Sequence, residues 1–372
     1  MYDIAVIGAG INGCSIAYEF LKEAKRVVVF DKEGIASGGS GAAGAFISPK
    51  FSKAGELKEI IEEAFIYSME YYETNFYHFF TKAQLLHIAK DAAEEESLRV
   101  FKANTTLRLK EANEALVKNL TQKAKAKEHV SLDAGVVNAK GVCQKMAAGA
   151  DFVTLEVKDI VYEDGYWLIE QQYAARELVL ATGAYETILQ EPYIGLRGVW
   201  GHRIDVQSSL QNPCSIHQFV SISPSSEGVM AIGATHNVHY HPQKSKEPYD
   251  LTQGRQELLQ KARETVNLGE VEIVADYTGL RSGSHDYMPL LGQLVLANET
   301  LQCCEKKIRV KRPDYKEFLY YPNLYMINGS GGYGFVLAPY LAKMLKEHIL
   351  SGKEISSRLS PARFFARWAK RS

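Results

Sequence analysis

The sequence predicts an α/β chain, α+β overall, in which a domain built on parallel βαβ units is interleaved with a second, mainly antiparallel domain. Three observations predict it. The N-terminus reads as strand, glycine-rich turn, helix and strand. A second apolar strand, glycine turn and helix come near the other end, at residues 325–350. Between them, residues 197–274 are rich in alternating apolar and polar positions, as in Val229-Met230-Ala231-Ile232-Gly233.

At 372 residues the chain exceeds what one hydrophobic core usually organises, so two closely associated domains are expected. Hydrophobic residues at 46% and charged residues at 23% match ordinary globular usage and exclude disordered and collagenous classes. No run approaches the roughly 18 apolar residues of a membrane span, and MYDIAVIG reads as a strand rather than a signal peptide. A cytoplasmic protein with no membrane partner is therefore expected. Cys14, Cys143, Cys214, Cys303 and Cys304 lack any CxxC spacing, which favours reduced thiols over a disulfide framework or structural zinc. The net charge is −1, yet cations gather in two clusters. One holds Lys306, Lys307, Arg309, Lys311, Arg312 and Lys316; the other holds Arg358, Arg363, Arg367, Lys370 and Arg371 without an acid.

In chain order, Asp3 to Ile7 is the first strand, Gly8-Ala9-Gly10-Ile11-Asn12-Gly13 the turn, Cys14 to Ala24 the helix and Val27 to Phe30 the second strand, with Asp31 at its end. This is the Rossmann-type arrangement that binds a dinucleotide. Gly8 permits the tight turn, Gly10 lets backbone approach a pyrophosphate, Gly13 lets helix pack on strand, and the helix start offers free N–H groups to phosphate. Asp31 is placed to accept hydrogen bonds from a ribose, with Lys32 beside it. A second run of small residues, from Ala36, Ser37 and Gly38 to Ala43 and Gly44, reads as a loop held against the cofactor, the alternative being a linker. Residues 54–121 read as mostly helical, and their aromatic stretch from Phe65 to Phe80 as core rather than a base-stacking surface. A strand at residues 135–137, a helix through Met146 and small strands around an Asp164-Gly165 turn follow, with Val157 near the cofactor. The buried strand ending in Ala181, Thr182 and Gly183 returns to the cofactor. The last turn, Gly331, Gly332, Tyr333, Gly334 and Phe335, opens a helix whose N–H groups can face an anionic ring system.

Four segments, GAGINGCSIA, ELVLATGAY, YTGLRSGSHDYMPLLG and LYMINGSGGYGFVLAP, resemble the D-amino-acid oxidase and glycine oxidase superfamily of FAD enzymes over nearly the whole chain. Within it, ASGGSGAAGAFISPKFS, EEAFIYSMEYYE and LSPARFFARWAKR are most similar to the FAD-dependent half of the bifunctional tRNA-modifying MnmC family. The resemblance implies FAD as cofactor, with the last glycine turn at the flavin's N1 and C2 carbonyl edge. It implies a discontinuous FAD-binding domain of residues 1–52, 130–196 and 275–372, and a substrate domain of residues 53–129 and 197–274. It also implies oxidative removal of the carboxymethyl group from 5-carboxymethylaminomethyl-uridine in tRNA. The methyltransferase half that usually precedes this unit in that family is not in the sequence.

The resemblance further implies that Arg281, in GLRSG, binds the substrate carboxylate, a task that suits a planar, permanently charged guanidinium. An ordinary ion pair is the alternative role. Tyr333 joins it as a candidate catalytic residue, and His202, His285 and Tyr287 flank the same turns without an assigned role. His239 and His241 fall on one face of an expected strand but lack carboxylate or thiolate neighbours, so no metal is expected. No GxSxG elbow is present for a nucleophilic triad. The basic clusters, with Phe364, Phe365 and Trp368, offer phosphate and stacking contacts to RNA; the alternative is an amphipathic helix with its aromatics packed down. A tRNA partner leads. A small-molecule amine or amino-acid oxidase would share Arg281 and every FAD motif, and a non-catalytic flavin-binding protein is the third reading. A nicotinamide dehydrogenase fits the first βαβ unit but not the later ATG and GSGGYG segments.

Overall fold

The computed structural model describes residues 1–371 except 186, 187, 190, 309, 311 and 312. In chain order the elements begin β1 (Tyr2–Ile7), α1 (Ile11–Lys22), β2 (Val27–Asp31), β3 (Phe46–Ile47), α2 (Glu56–Asn75), β4 (Phe80–Ile88), α3 (Ala92–Asn104), α4 (Glu114–Asn119) and α5 (Gln122–Lys125). Then come β5 (His129–Val137), α6 (Ala139–Ala147), β6 (Asp151–Thr154), β7 (Ile160–Glu163), β8 (Tyr166–Ile169), β9 (Tyr173–Leu180), β10 (Leu196–Ser208), β11 (Ser215–His217), β12 (Ser221–Ile222) and β13 (Val229–Gly233). The chain closes with α7 (Leu251–Thr265), β14 (Val271–Ser284), β15 (Leu290–Val295), α8 (Ala297–Ile308), β16 (Tyr320–Asn328), α9 (Gly334–Ser351) and α10 (Ala362–Ala369).

One sheet runs β15-β16-β9-β1-β2-β6, with β7 and β8 attached to β9. Its centre is parallel: β1 pairs with β2 on one side and β9 on the other, and β9 pairs with β16. β1 explains why the run is apolar throughout. Ile4 and Val6 enter one core with residues of α1, α6 and α9, whereas Ala5 and Ile7 enter a second core with Trp167, Ile169 and residues of α8 and α10. The hairpin between β7 and β8 turns at Asp164 and Gly165, both at positive φ, as a tight two-residue turn requires.

The other sheet runs β14-β10-β13-β12-β11-β4-β5-β3 and is antiparallel except where β11 meets β4. It places a third core, including Ile204, Ile216, Ile232 and Leu258, under α7. Three elements depart from expectation. Residues 80–88 form the strand β4 rather than helix, because a nine-residue pairing with β5 overrides the local helix preference of Lys, Ala, Gln and Leu. Residues 251–265 form α7, capped by Asp250 Oδ1 accepting from the Gln253 N–H, inside a stretch expected to be strand. His239 and His241 lie in a turn segment, so no strand holds them on a common face. All five cysteines are free.

Candidate active site

A cavity of about 900 Å³ lies between the two sheets, walled by the ends of β1, β2, β9, β14 and β16. Its floor is the first turn. Gly8 has φ +105°, and a Cβ there would sit 2.4 Å from the Ala181 carbonyl oxygen. At Gly13 a Cβ would fall 1.8 Å from the Gly8 carbonyl oxygen, so α1 can lie this close to β1 only without a side chain. Gly10 ends the loop without side-chain capping and α1 has no acid in its first turn, which leaves a start suited to a diphosphate.

Ser40, which the sequence reading missed, accepts the Ile11 N–H at 2.9 Å and lines the cavity at the same place. The small-residue loop is thus tied to the helix start. Ala36 does not line the cavity; it is buried and its N–H donates to the Ala9 carbonyl at 2.9 Å. Ala9 and Gly13 likewise shape the wall from behind it. Asp31 lines the cavity but is already engaged: Oδ2 accepts from Ala9 N–H at 2.8 Å, and Oδ1 from the Glu33 and Gly34 N–H groups at 3.0 and 3.1 Å. Its carboxylate therefore organises the loop, with Oδ2 left room for one more donor. Lys32, Ser37, Gly38, Ala43, Gly44, Val157, Ala181, Thr182 and Gly183 line the same cavity.

At the other end the cavity is closed by Gly331, Gly332, Tyr333, Gly334 and Phe335 at the start of α9. Asn328, fully buried and also missed from sequence, joins three segments there. Its Nδ2 donates to the Gly183 carbonyl at 3.0 Å, and its Oδ1 accepts from Ser282 Oγ and the Gly329 N–H, both at 2.8 Å. A β-bridge between Gly283 and Ser330 adds a second tie. The strand carrying Arg281 is therefore fixed to the turn that carries Tyr333. Burial pushes the Tyr333 hydroxyl up to about 12, so it is a neutral donor and not a base at ordinary pH.

Arg281 lines the cavity with its guanidinium against Gly201, where a Cβ would lie 2.5 Å from Nη2. No carboxylate among the described residues pairs with it, and burial lowers its affinity for the proton. A half-sheltered cation without a carboxylate partner is suited to an anionic ligand. His236 lines the same end and is held below the ordinary imidazole range by burial, then by Arg281 and Arg197.

Other expected neighbours are elsewhere. His202 is fully buried outside the cavity, its Nε2 2.9 Å from Asp276 Oδ1, which Arg255 also engages. His285 packs over Gly195, and Tyr287 is 62% exposed beneath Arg197. In α10, Phe364 and Phe365 are buried and Arg363 is paired with Asp286 at 2.9 and 3.0 Å, so neither aromatic ring is free to stack on a base. Arg309, Lys311 and Arg312 of the other basic cluster lie outside the described residues. No helix among the described residues is long and apolar enough to cross a membrane.

The residues fit FAD on chemical grounds. Gly8 and Gly10 line the cavity without side chains, Gly13 lets the helix start pack close behind them, and Thr182 Oγ1 is a buried, unpartnered hydroxyl in the cavity wall. Among relatives, the chain is 23% identical over 410 residues to the tRNA 5-methylaminomethyl-2-thiouridine biosynthesis bifunctional protein MnmC of Leptospira interrogans, covering 98% of this chain and 60% of the relative. It is 24% identical over 396 residues to the MnmC protein of Legionella pneumophila, covering 96% and 56%. The chain thus spans well under two thirds of these relatives. Glycine oxidase from Geobacillus kaustophilus superposes with a TM-score of 0.74 at 21% identity, covering 97% of this chain and 98% of that one. Iminodiacetate oxidase from Chelativorans sp. BNC1 gives 0.70 at 18% identity, covering 96% and 98%. Residues 3–348 match the family described as FAD dependent oxidoreductase (DAO), and the chain belongs to that family of FAD-dependent oxidoreductases.

Proposed function

We propose that this oxidoreductase removes the carboxymethyl group from 5-carboxymethylaminomethyl-(2-thio)uridine in tRNA, giving 5-aminomethyl-uridine and glyoxylate. The observation that carries the reading is Arg281, a half-sheltered guanidinium with no carboxylate partner among the described residues, in the wall of a cavity that also meets the glycine turns. The MnmC relatives supply the tRNA substrate class; the group they share with glycine oxidase substrates is an amine, a CH₂ and a carboxylate.

Arg281 holds the carboxylate through paired charge-assisted hydrogen bonds, which fixes the adjacent CH₂ in one orientation. FAD, when bound, supplies the two-electron acceptor for the C–H bond of that CH₂. Loss of a hydride from carbon and a proton from nitrogen leaves an imine; water adds to its carbon and the C–N bond breaks, releasing a primary amine and glyoxylate. No protein base is required for an amine that arrives neutral. His236, kept uncharged beside Arg281, and neutral Tyr333 can hydrogen-bond at this end without adding a second charge.

Nucleoside analysis of tRNA from cells lacking this protein tests the reading. Accumulated carboxymethylaminomethyl-uridine is the expected result; an unchanged nucleoside profile removes it. A second reading, a small-molecule amine or amino-acid oxidase, is favoured by the 97% coverage on glycine oxidase. Oxidation of glycine or N-methylglycine by a protein that leaves tRNA untouched would select that alternative.

A further inference from the structure

Beyond Arg281 the cavity has a wall that neither the cofactor motifs nor the carboxylate site uses. It is formed by Phe46, Ser48, His217, Ser221 and Gln243. His217 and Ser221 face each other across β11 and β12, and Phe46 meets the imidazole edge to face with ring centroids 4.9 Å apart. The four polar side chains make no hydrogen bond within the protein among the described residues. Ser48 is buried, His217 and Ser221 are half-buried and Gln243 is exposed, so unspent donors and acceptors surround an aromatic ring, and the buried ones cost stability until a ligand satisfies them.

The four polar side chains are uncharged, while the ammonium of Lys90 lines the same cavity near His217. Burial, with His87 and Lys90 nearby, holds His217 down to about 3, so it carries one ring proton. Its Nε2 is sealed without a partner, which leaves Nδ1 as the atom available to a ligand. An unsatisfied buried N–H is costlier than an unsatisfied lone pair, so the proton belongs on Nδ1 and the ring is a donor toward the cavity. Gln243 offers an amide donor and acceptor together, and the two serines add hydroxyls.

We propose that this wall is a subsite for the pyrimidine ring that bears the reacting side arm, with His217 donating to a ring carbonyl, Gln243 pairing with the imide edge and Phe46 packing against the ring. The proposal rests on the tRNA reading and extends it, since a free glycine held by Arg281 would leave the wall's polar groups unspent.

Calorimetric titration of the FAD-loaded protein with 5-aminomethyl-uridine, and separately with methoxyacetate as a ring-free carboxylate, tests it. Replacing His217→Phe keeps the ring volume against Phe46 and removes both nitrogens; Gln243→Leu is a second variant that does not perturb the sheet. Each is expected to weaken nucleoside binding about tenfold, the value of one well-placed hydrogen bond, with methoxyacetate binding unchanged. Undetectable nucleoside binding by the unmodified protein, nucleoside binding unchanged in the variants, or equal weakening of both ligands overturns the subsite. A protein that binds the nucleoside through this wall yet leaves modified tRNA unoxidised overturns the tRNA reading alone.

Discussion

At position 281 a half-buried guanidinium has no carboxylate partner among the described residues, an arrangement that costs stability unless a ligand completes it. Arg281→Ala should therefore lower kcat/KM by at least about 100-fold, corresponding to ~3 kcal/mol for a lost charge-assisted pair, while the flavin absorbance near 450 nm stays with the protein. Unchanged kinetics would remove the assigned role. Arg281→Lys should not restore activity, because a point charge cannot reproduce the planar fork. The glycines of the first turn could be named from a short local pattern, whereas Arg281 was named through the family resemblance of GLRSG. Ser40, Asn328 and His217 were named by neither. Ser40 reaches Ile11 from 29 residues away, and Asn328 joins segments 145 and 46 residues distant, contacts that only the assembled fold creates.

Among elements, α10 carries the clearest energetic argument. Its Arg363 is 9% exposed and donates both to Asp286 and to the carbonyls of Leu359, Ser360 and Met288, while Ser284 Oγ donates to the same Asp286 carboxylate. Burial alone would raise the Asp286 carboxyl, but Arg363, then Ser284 and the Met288 N–H, more than offset it and hold it below the ordinary range. A carboxyl lowered on folding gives stability that is fully present above its unfolded pKa of about 3.9 and is lost as pH falls through the folded value. Asp286→Asn should cost about 3 kcal/mol at neutral pH by stranding a buried guanidinium, and should flatten the acid limb of stability, measured by urea unfolding between pH 7 and pH 3. Equal acid sensitivity in both proteins would sink the argument. The helix itself was foreseeable as an amphipathic segment, but its partner was not, since Asp286 lies 77 residues upstream. β4 and α7 were misjudged for a related reason: pairing partners and a capping aspartate decided them against the local pattern.

For the molecule as a whole, the cavity draws its walls from both sheets, so a ligand that fills it binds only the assembled chain. Adding FAD to the apoprotein at about 100 times its Kd should stabilise it by ~2.7 kcal/mol and raise Tm by roughly 3 °C, read by scanning calorimetry. A Tm indifferent to FAD would show that the folded chain does not take it up. The class of fold and its opening strand, turn, helix and strand followed from the apolar runs and glycine turns, whereas the strand order and the seating of one sheet against the other rested on contacts that no local pattern announces. One such contact reaches furthest. At Gly39 a Cβ would strike the Leu280 carbonyl at 2.5 Å, and at Gly279 one would strike the Gly39 Cα at 2.8 Å, so two bare backbones slide together immediately before Arg281. That seam has no room for a side chain on either strand of backbone, so any methyl grafted onto it would act as a wedge beside the cavity.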